Sequence, residues 1–524
     1  MTPLMAALQA ATNFPPPEPV PEVSYRSAGR VLVIGPATLA SDKAGELAGN
    51  VPVTVLVTEG DLPEPEAYAV HAGQVISMEG WLGNFDVHWK TVDGAESQGK
   101  FDLVLNLGLE RYFRMHQPPQ GYFAPMNDTQ ALQDALREIA DAVGEFTKPK
   151  FYQLNEKICA HSRSNVEGCN RCWDVCSAWA MRSEGDAVRV ESHLCVGCGA
   201  CATVCPTGAM RYNYPSVSYW GGKLKAVLGA YAVAGGKAAC VLVHGENVTL
   251  QQDQLLQRVI PVSMFHIASV GLDWLLGALA LGANQVVILA TGNEAPQYLE
   301  ALRAQMALGE EILQGLGYAG EHFRLIEGQA GLAHLQQMPP ARVPSETARF
   351  SLFDDKRTTL EFCIDHFARH APQPADMIAL ASGAPFGTVE VTGDKCTLCY
   401  SCVSVCPASA LLDGDGQQQL NFIERNCVQC GLCETACPED AIRLVPRLLL
   451  APQAKQKRVL HVDQPFHCVR CGKPFGTRSM VIGMVAKLAG HSMFATPEAL
   501  NRLRMCGDCR VVDMMTTDSH EVRS

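Results

Sequence analysis

No run in this 524-residue sequence approaches the roughly 20 uninterrupted apolar residues that a membrane span needs. The best candidate, Val270–Leu289, is broken by Asp273 and several glycines and reads as a helix followed by a strand. The start, MTPLMAALQAATNFPPPEPVPEV, has neither the basic n-region of a secretory signal nor a twin arginine, so a soluble, cytoplasmic protein is expected. Basic charge is scarce too. Against 54 Asp and Glu stand 42 Lys and Arg, a formal charge of −12 that leaves no basic stripe for phosphates and excludes a nucleic-acid partner. Catalytic signatures are also missing: no Ser/His/Asp set, phosphate loop or carboxylate pair stands in a catalytic context.

Cysteine is what the chain has in excess. Of 22 cysteines, twenty fall into runs with metal-ligand spacing, and only Cys240 and Cys363 stand alone, as expected packing residues. The chain is too long for a secreted disulfide scaffold, and metal-binding thiolates must stay reduced, which points to a reducing compartment. One block reads Cys396-x2-Cys399-x2-Cys402-x3-Cys406-Pro407, then Cys427-x2-Cys430-x2-Cys433-x3-Cys437-Pro438. An earlier block repeats it with a change. Its second half, Cys195-x2-Cys198-x2-Cys201-x3-Cys205-Pro206, is intact, but its first half reads Cys159-x9-Cys169-x2-Cys172-x3-Cys176-Ser177. Zinc is a poor fit to three cysteines at x2 spacing, because zinc sites pair their thiols as CxxC.

This tandem C-x2-C-x2-C-x3-C-P resembles the bacterial two-cluster ferredoxin family, present here twice. The resemblance implies four [4Fe–4S] clusters, each holding three thiolates of one loop and a fourth from the other half. Carried over, one cluster takes Cys396, Cys399, Cys402 and Cys437, and its neighbour takes Cys427, Cys430, Cys433 and Cys406. In the first block the sets are Cys159, Cys169, Cys172 and Cys205, and Cys195, Cys198, Cys201 and Cys176. At Cys159 the nearby His161 is left as an alternative ligand.

The expected fold class is α/β plus α+β: two ferredoxin-like modules, Rossmann-like α/β domains and a small C-terminal segment resembling a zinc knuckle. Residues 1–28 read as a proline-rich tail, extended around FPPPEPVP, and 29–150 as a Rossmann-like domain. Its strands are expected at Val31–Ile34, Val53–Val57 and Phe101–Leu107, with a helix at Ala37–Leu47 and a hairpin of Gln74–Met78 with Asp86–Thr91. VLVIGPATLA opens like a dinucleotide fold but lacks two of the three glycines, so a bound flavin has no motif to support it. The modules span 151–214 and 389–447. Between them, 215–388 is an α/β scaffold with strands expected at Ala239–Val243, Val259–Met264, Gln285–Ala290, Phe323–Glu327 and Met377–Leu380. Helices Leu272–Leu281 and Ala295–Leu316 should cover a parallel sheet. Residues 259–327 look similar to the delta subunit of methyl-viologen-reducing hydrogenase. The cysteines of that family's [2Fe–2S] cluster have no counterpart, with Ser263 and Thr291 in the neighbourhood.

In the tail, residues 460–515, Cys468-x2-Cys471-Gly472 and Cys506-x2-Cys509 suggest one Zn2+ on four thiolates, with a further iron–sulfur cluster or no metal as alternatives. His467 is expected beside the site or at the surface. The functional expectation is electron transfer through four [4Fe–4S] clusters, as an electron-transfer protein or oxidoreductase subunit with redox protein partners. The alternative is a flavin- or nicotinamide-dependent oxidoreductase acting on its own substrate.

Overall fold

The computed structural model of the chain describes residues 1–62, 68–250, 255–335 and 338–521. In the N-terminal region the short apolar runs form a seven-stranded sheet. Its order is Glu96–Phe101, Phe85–Thr91, Ala69–Glu79, Val53–Glu59, Val31–Pro36, Leu103–Asn106 and Tyr122–Phe123. The last five are mutually parallel, and the first two form an antiparallel extension. Alternate side chains point to opposite faces, and both faces are buried. Val31, Val33 and Val55 pack with Ala40 and Ile139 on one side, while Leu32, Ile34 and Leu56 pack with Phe85 and Val104 on the other.

The run Phe101–Leu107 is not the single strand expected of it. Asp102 breaks it, because its buried carboxylate accepts hydrogen bonds from the amides of Ala28 and Arg30 and from the Arg30 guanidinium. Gly35 is accounted for by packing: a Cβ there would lie 3.0 Å from Leu107 Cβ.

Four middle strands lie where the sequence places them: Cys240–Gly245, Val259–Met264, Gln285–Ala290 and Phe323–Glu327. They form one parallel sheet with Cys240–Gly245 and Gln285–Ala290 in its centre. The fifth expected strand does not join them. Met377–Ala379 pairs antiparallel with Ile442–Leu449 of the second cysteine block, a pairing that needs no crossover helix. Cys240 and Cys363 are fully buried in this region's cores, and burial pushes the Cys240 thiol up to about 11.

The first 28 residues also depart from expectation. Thr2 caps a helix, Pro3–Asn13, whose Pro3 sits in the first turn. Leu4 and Ala7 bury against the helix Val217–Val233 of the middle region, and Phe14 meets Tyr219 edge-on at 5.4 Å. Glu22–Ser27 then pairs antiparallel with Gly144–Pro149. The N-terminal segment thus spans from the middle core to the core of the first sheet, where Val23 and Tyr25 are buried; within it, residues 14–21 lie in no helix or strand.

Each cysteine block repeats one plan. An entering strand pairs antiparallel with a leaving strand, Tyr152–Leu154 with Met210–Tyr212 and Gly387–Val391 with Ile442–Leu449. Inside it sits a hairpin, Met181–Glu184 with Ala187–Val190, or Leu411–Leu412 with Gln419–Phe422. The chain then adds Arg458–Val462 to the second hairpin and ends in the hairpin Pro465–His467/Pro474–Thr477 and three helices. Among the described residues no helix is long and apolar enough to cross a membrane.

Candidate metal centres

Three of the four cysteine loops share a backbone device. The residues flanking the second cysteine have positive φ: Gly197 and Gly199, Leu398 and Tyr400, Gln429 and Gly431. Two left-handed residues coil the loop so that its thiols face inward. A one-turn helix follows and carries the third cysteine: Ala200–Val204, Ser401–Ser404 or Leu432–Thr435. The short helix Arg171–Asp174 does the same for Cys172.

The fourth cysteine of each run has its own turn. Three residues beyond it, Trp179, Gly208, Ser409 and Asp440 all have positive φ. This swings a following amide onto the sulfur: Ala180 N–H to Cys176 Sγ, Ala410 to Cys406 and Ala441 to Cys437, each at 3.3 Å, and Met210 to Cys205 at 3.4 Å. Such donors stabilise a thiolate and tune the potential of a cluster bound to it.

All 22 cysteines are free thiols. Their electrostatic neighbours identify which of them lie near one another. Burial raises Cys172 first, and Cys205, Cys169 and Cys159 add to it. Burial raises Cys198 to about 12, with Cys176 and Cys195 adding to it, and lifts Cys201 well above the thiol range. Cys402 is pushed to about 12 by burial, with Cys396, Cys399 and Cys437 beside it. Cys433 faces Cys427, Cys430 and Cys406. Each of these neighbourhoods includes three thiols of one loop and a thiol from the other half of the block, with Cys172 also near Cys201 and Cys402 also near Cys433.

The seven extra residues of the first loop have a visible use. They form a hairpin, Ser162–Arg163 with Val166–Glu167, turned by the left-handed pair Ser164 and Asn165. Asp186 ties that turn down by accepting from Ser162 Oγ and from the amides of Ser164 and Asn165. The base of the hairpin packs against the second block, with Ala160, Val166 and Cys169 against Leu432, Val405 and Cys430. His161 is occupied: its ring nitrogens contact Ser183 Oγ at 2.8 Å and Cys169 O at 3.3 Å. Cys159, by contrast, faces Cys205. Ser177 stands where the other runs have proline; it is fully buried, donates to Gln117 Oε1 and hydrogen-bonds Tyr298.

Three cations from outside the modules reach the loops, and sequence reasoning missed them. Lys148 Nζ donates to the carbonyls of His193 and Cys195, both at 2.7 Å. Lys356 Nζ donates to Ala202, Thr203 and Cys205, and Arg357 to Pro385, Arg425 and Cys427. A lysine in an α/β segment carries no local mark of such a role; only the tertiary fold brings it there.

In the tail, Cys468, Cys471, Cys506 and Cys509 place their sulfurs within 4.8 Å of one another, despite 34 intervening residues. Cys471 Sγ lies 3.7 Å from Cys506 Sγ, close to the roughly 4 Å that tetrahedral zinc imposes. Gly472, with φ 73°, makes the turn after the second cysteine. Burial acts to raise the Cys468 thiol, but the amides of Cys506, Cys471 and Arg470 outweigh it and bring it down to about 6. Among the described residues no three of the sixteen thiols in the two blocks lie this close together. His467 is exposed.

Comparison with known proteins covers the second block and the second half of the first. Residues 395–442 match the 4Fe-4S dicluster domain family, and residues 188–211 match the 4Fe-4S binding domain family. NADH-quinone oxidoreductase subunit I 2 of Geobacter metallireducens is 37% identical over 65 residues, 11% of this chain and 50% of the relative. Ferredoxin-1 of Caulobacter vibrioides is 38% identical over 55 residues, 10% of this chain and 47% of the relative. Hydrogenase-4 component A of Escherichia coli is 31% identical over 85 residues, 16% of this chain and 36% of the relative. The chain thus spans half or less of these relatives' lengths.

Proposed function

We propose, for a chain that carries two 4Fe–4S ferredoxin-type domains, that it conducts electrons along four [4Fe–4S] clusters set in one line. A bound cluster of this kind supplies one-electron storage. The ligand sets are Cys195, Cys198, Cys201 and Cys176; Cys159, Cys169, Cys172 and Cys205; Cys427, Cys430, Cys433 and Cys406; and Cys396, Cys399, Cys402 and Cys437.

The observation that carries this reading is the continuity between sets. Cys172 is a charged neighbour of Cys201, Cys169 of Cys430, and Cys402 of Cys433. Each set therefore lies near the next, and the middle step crosses from one block to the other beside the inserted hairpin, where Cys169 and Cys430 share one packed cluster. The Rossmann-like N-terminal domain and the α/β middle domain act as scaffold. The likeness of residues 259–327 to the hydrogenase delta subunit rests on sequence alone and agrees with a docking role.

The chain works in a reducing cytoplasm as a subunit or partner of an oxidoreductase complex. Relatives named as subunits of such assemblies support this, as does an acidic surface suited to basic redox partners. The exposed Cys399 marks the end of the line closest to solvent. In the tail, the tight four-sulfur group suits one Zn2+, which is redox-silent.

These readings separate in one variant. Cys506→Ser should release about one zinc and loosen the C-terminal helices, while reductive titration still takes up about four electrons per chain. A loss of about four irons in this variant would make the tail a fifth cluster.

A further inference from the structure

We propose that Lys356 and Arg357, adjacent on the scaffold helix Lys356–Arg369, set the potentials of the two clusters that meet at the junction of the blocks. The inference rests on the ligand sets proposed above.

Lys356 is 8% exposed, and its ammonium donates to three carbonyls, at 2.9 Å to Ala202, 2.6 Å to Thr203 and 3.2 Å to Cys205. That consumes all three of its N–H groups. Arg357 turns the other way. Its guanidinium lies 4.7 Å from the centre of the Phe386 ring and donates to Pro385, Arg425 and, at 3.4 Å, Cys427. Neighbouring residues of one helix thus reach a ligand loop in each block.

Among the described residues neither cation forms a salt bridge. Charged groups do lie near them: Asp273, the Cys205 sulfur, Arg357 and Arg171 for Lys356, and the Cys427 sulfur, Arg425, Asp355 and Glu361 for Arg357. A buried cation solvated only by neutral carbonyls is costly unless a negative charge lies near. Asp273, Asp355 and Glu361 supply part of that charge; a cubane on four thiolates would add to it, and its reduction would add one more unit. The cations therefore favour the reduced form and raise the potential. On the Cys396 loop the charged neighbour is instead the carboxylate of Asp463, which acts in the opposite direction.

The test is an EPR-monitored redox titration of the fully loaded chain. Lys356→Gln and Arg357→Gln should each leave iron content unchanged and lower the reduced-to-oxidised ratio of one cluster about tenfold at fixed potential, a shift of about 59 mV for a one-electron couple. Lys356→Arg and Arg357→Lys should restore most of it, which a purely structural role does not require. Loaded Gln variants with unmoved midpoints overturn the proposal. Should those variants lose iron, the unmodified protein decides. Its last-reduced cluster should be the one that Asp463→Asn shifts upward, and finding that cluster reduced first overturns the proposal. A shortfall of iron in the unmodified protein strikes the ligand sets instead and removes the premise.

Discussion

Cys437→Ala should empty the site built on Cys396, Cys399 and Cys402 and spare the one built on Cys427, Cys430 and Cys433. Sequence distance argues the other way, since Cys437 lies four residues from Cys433 and 35 from Cys402. The fold decides it. The short helix Leu432–Thr435 carries Cys433 toward its own loop, and the left-handed Asp440 turns the chain after Cys437. Cys437 there is an electrostatic neighbour of Cys402 and Cys396, and Cys406 is one of Cys433, which supports the proposed crossed sets. The loss should be about four irons of sixteen. Iron lost from the Cys427 triad instead would contradict the crossed arrangement. Cys205→Ala should act likewise on Cys159, Cys169 and Cys172.

Gly168→Val should break the line in its middle without emptying it. A Cβ on Gly168 would lie 2.6 Å from the carbonyl oxygen of Ala160 and 2.7 Å from Leu432 Cγ. The first contact is backbone within the hairpin's own base and the second is Leu432 of the other block, so the base must distort and shift off Leu432. Leu432 is fully buried in that contact, and separating the surfaces exposes it. The step between Cys169 and Cys430 then lengthens. Rapid-mixing reduction should show one block filling at the normal rate and the other losing most of its rate, with near-normal total iron. Unchanged filling of both blocks would mean that electrons do not cross at this junction.

Much of this arrangement was legible in the sequence, for identifiable reasons. A ligand loop is local, so C-x2-C-x2-C states its geometry within seven residues. Buried parallel strands such as Gln285–Ala290 are continuous apolar runs and declare themselves. The misses are tertiary. The helix Pro3–Asn13 is short and lies ahead of a proline-rich stretch, and only its docking on Val217–Val233 gives it a core to bury into. Met377–Ala379 looks like one more strand of the middle sheet, yet its partner lies more than sixty residues later. The loss of proline after Cys176 reads as a defect in the motif. In the fold, Ser177 supplies a hydroxyl between Gln117 and Tyr298, where three parts of the chain meet. Lys356 and Arg357 carry no signature at all, because their role depends on which carbonyls the fold brings to them.

The central claim, four cubanes in one chain, is tested most directly by iron and acid-labile sulfide per chain in protein purified without air. The account predicts about 16 of each, with about one zinc in addition. Iron and sulfide near half that value after complete reconstitution would contradict it, and would leave the first block, with its lengthened loop, as a fold without its clusters.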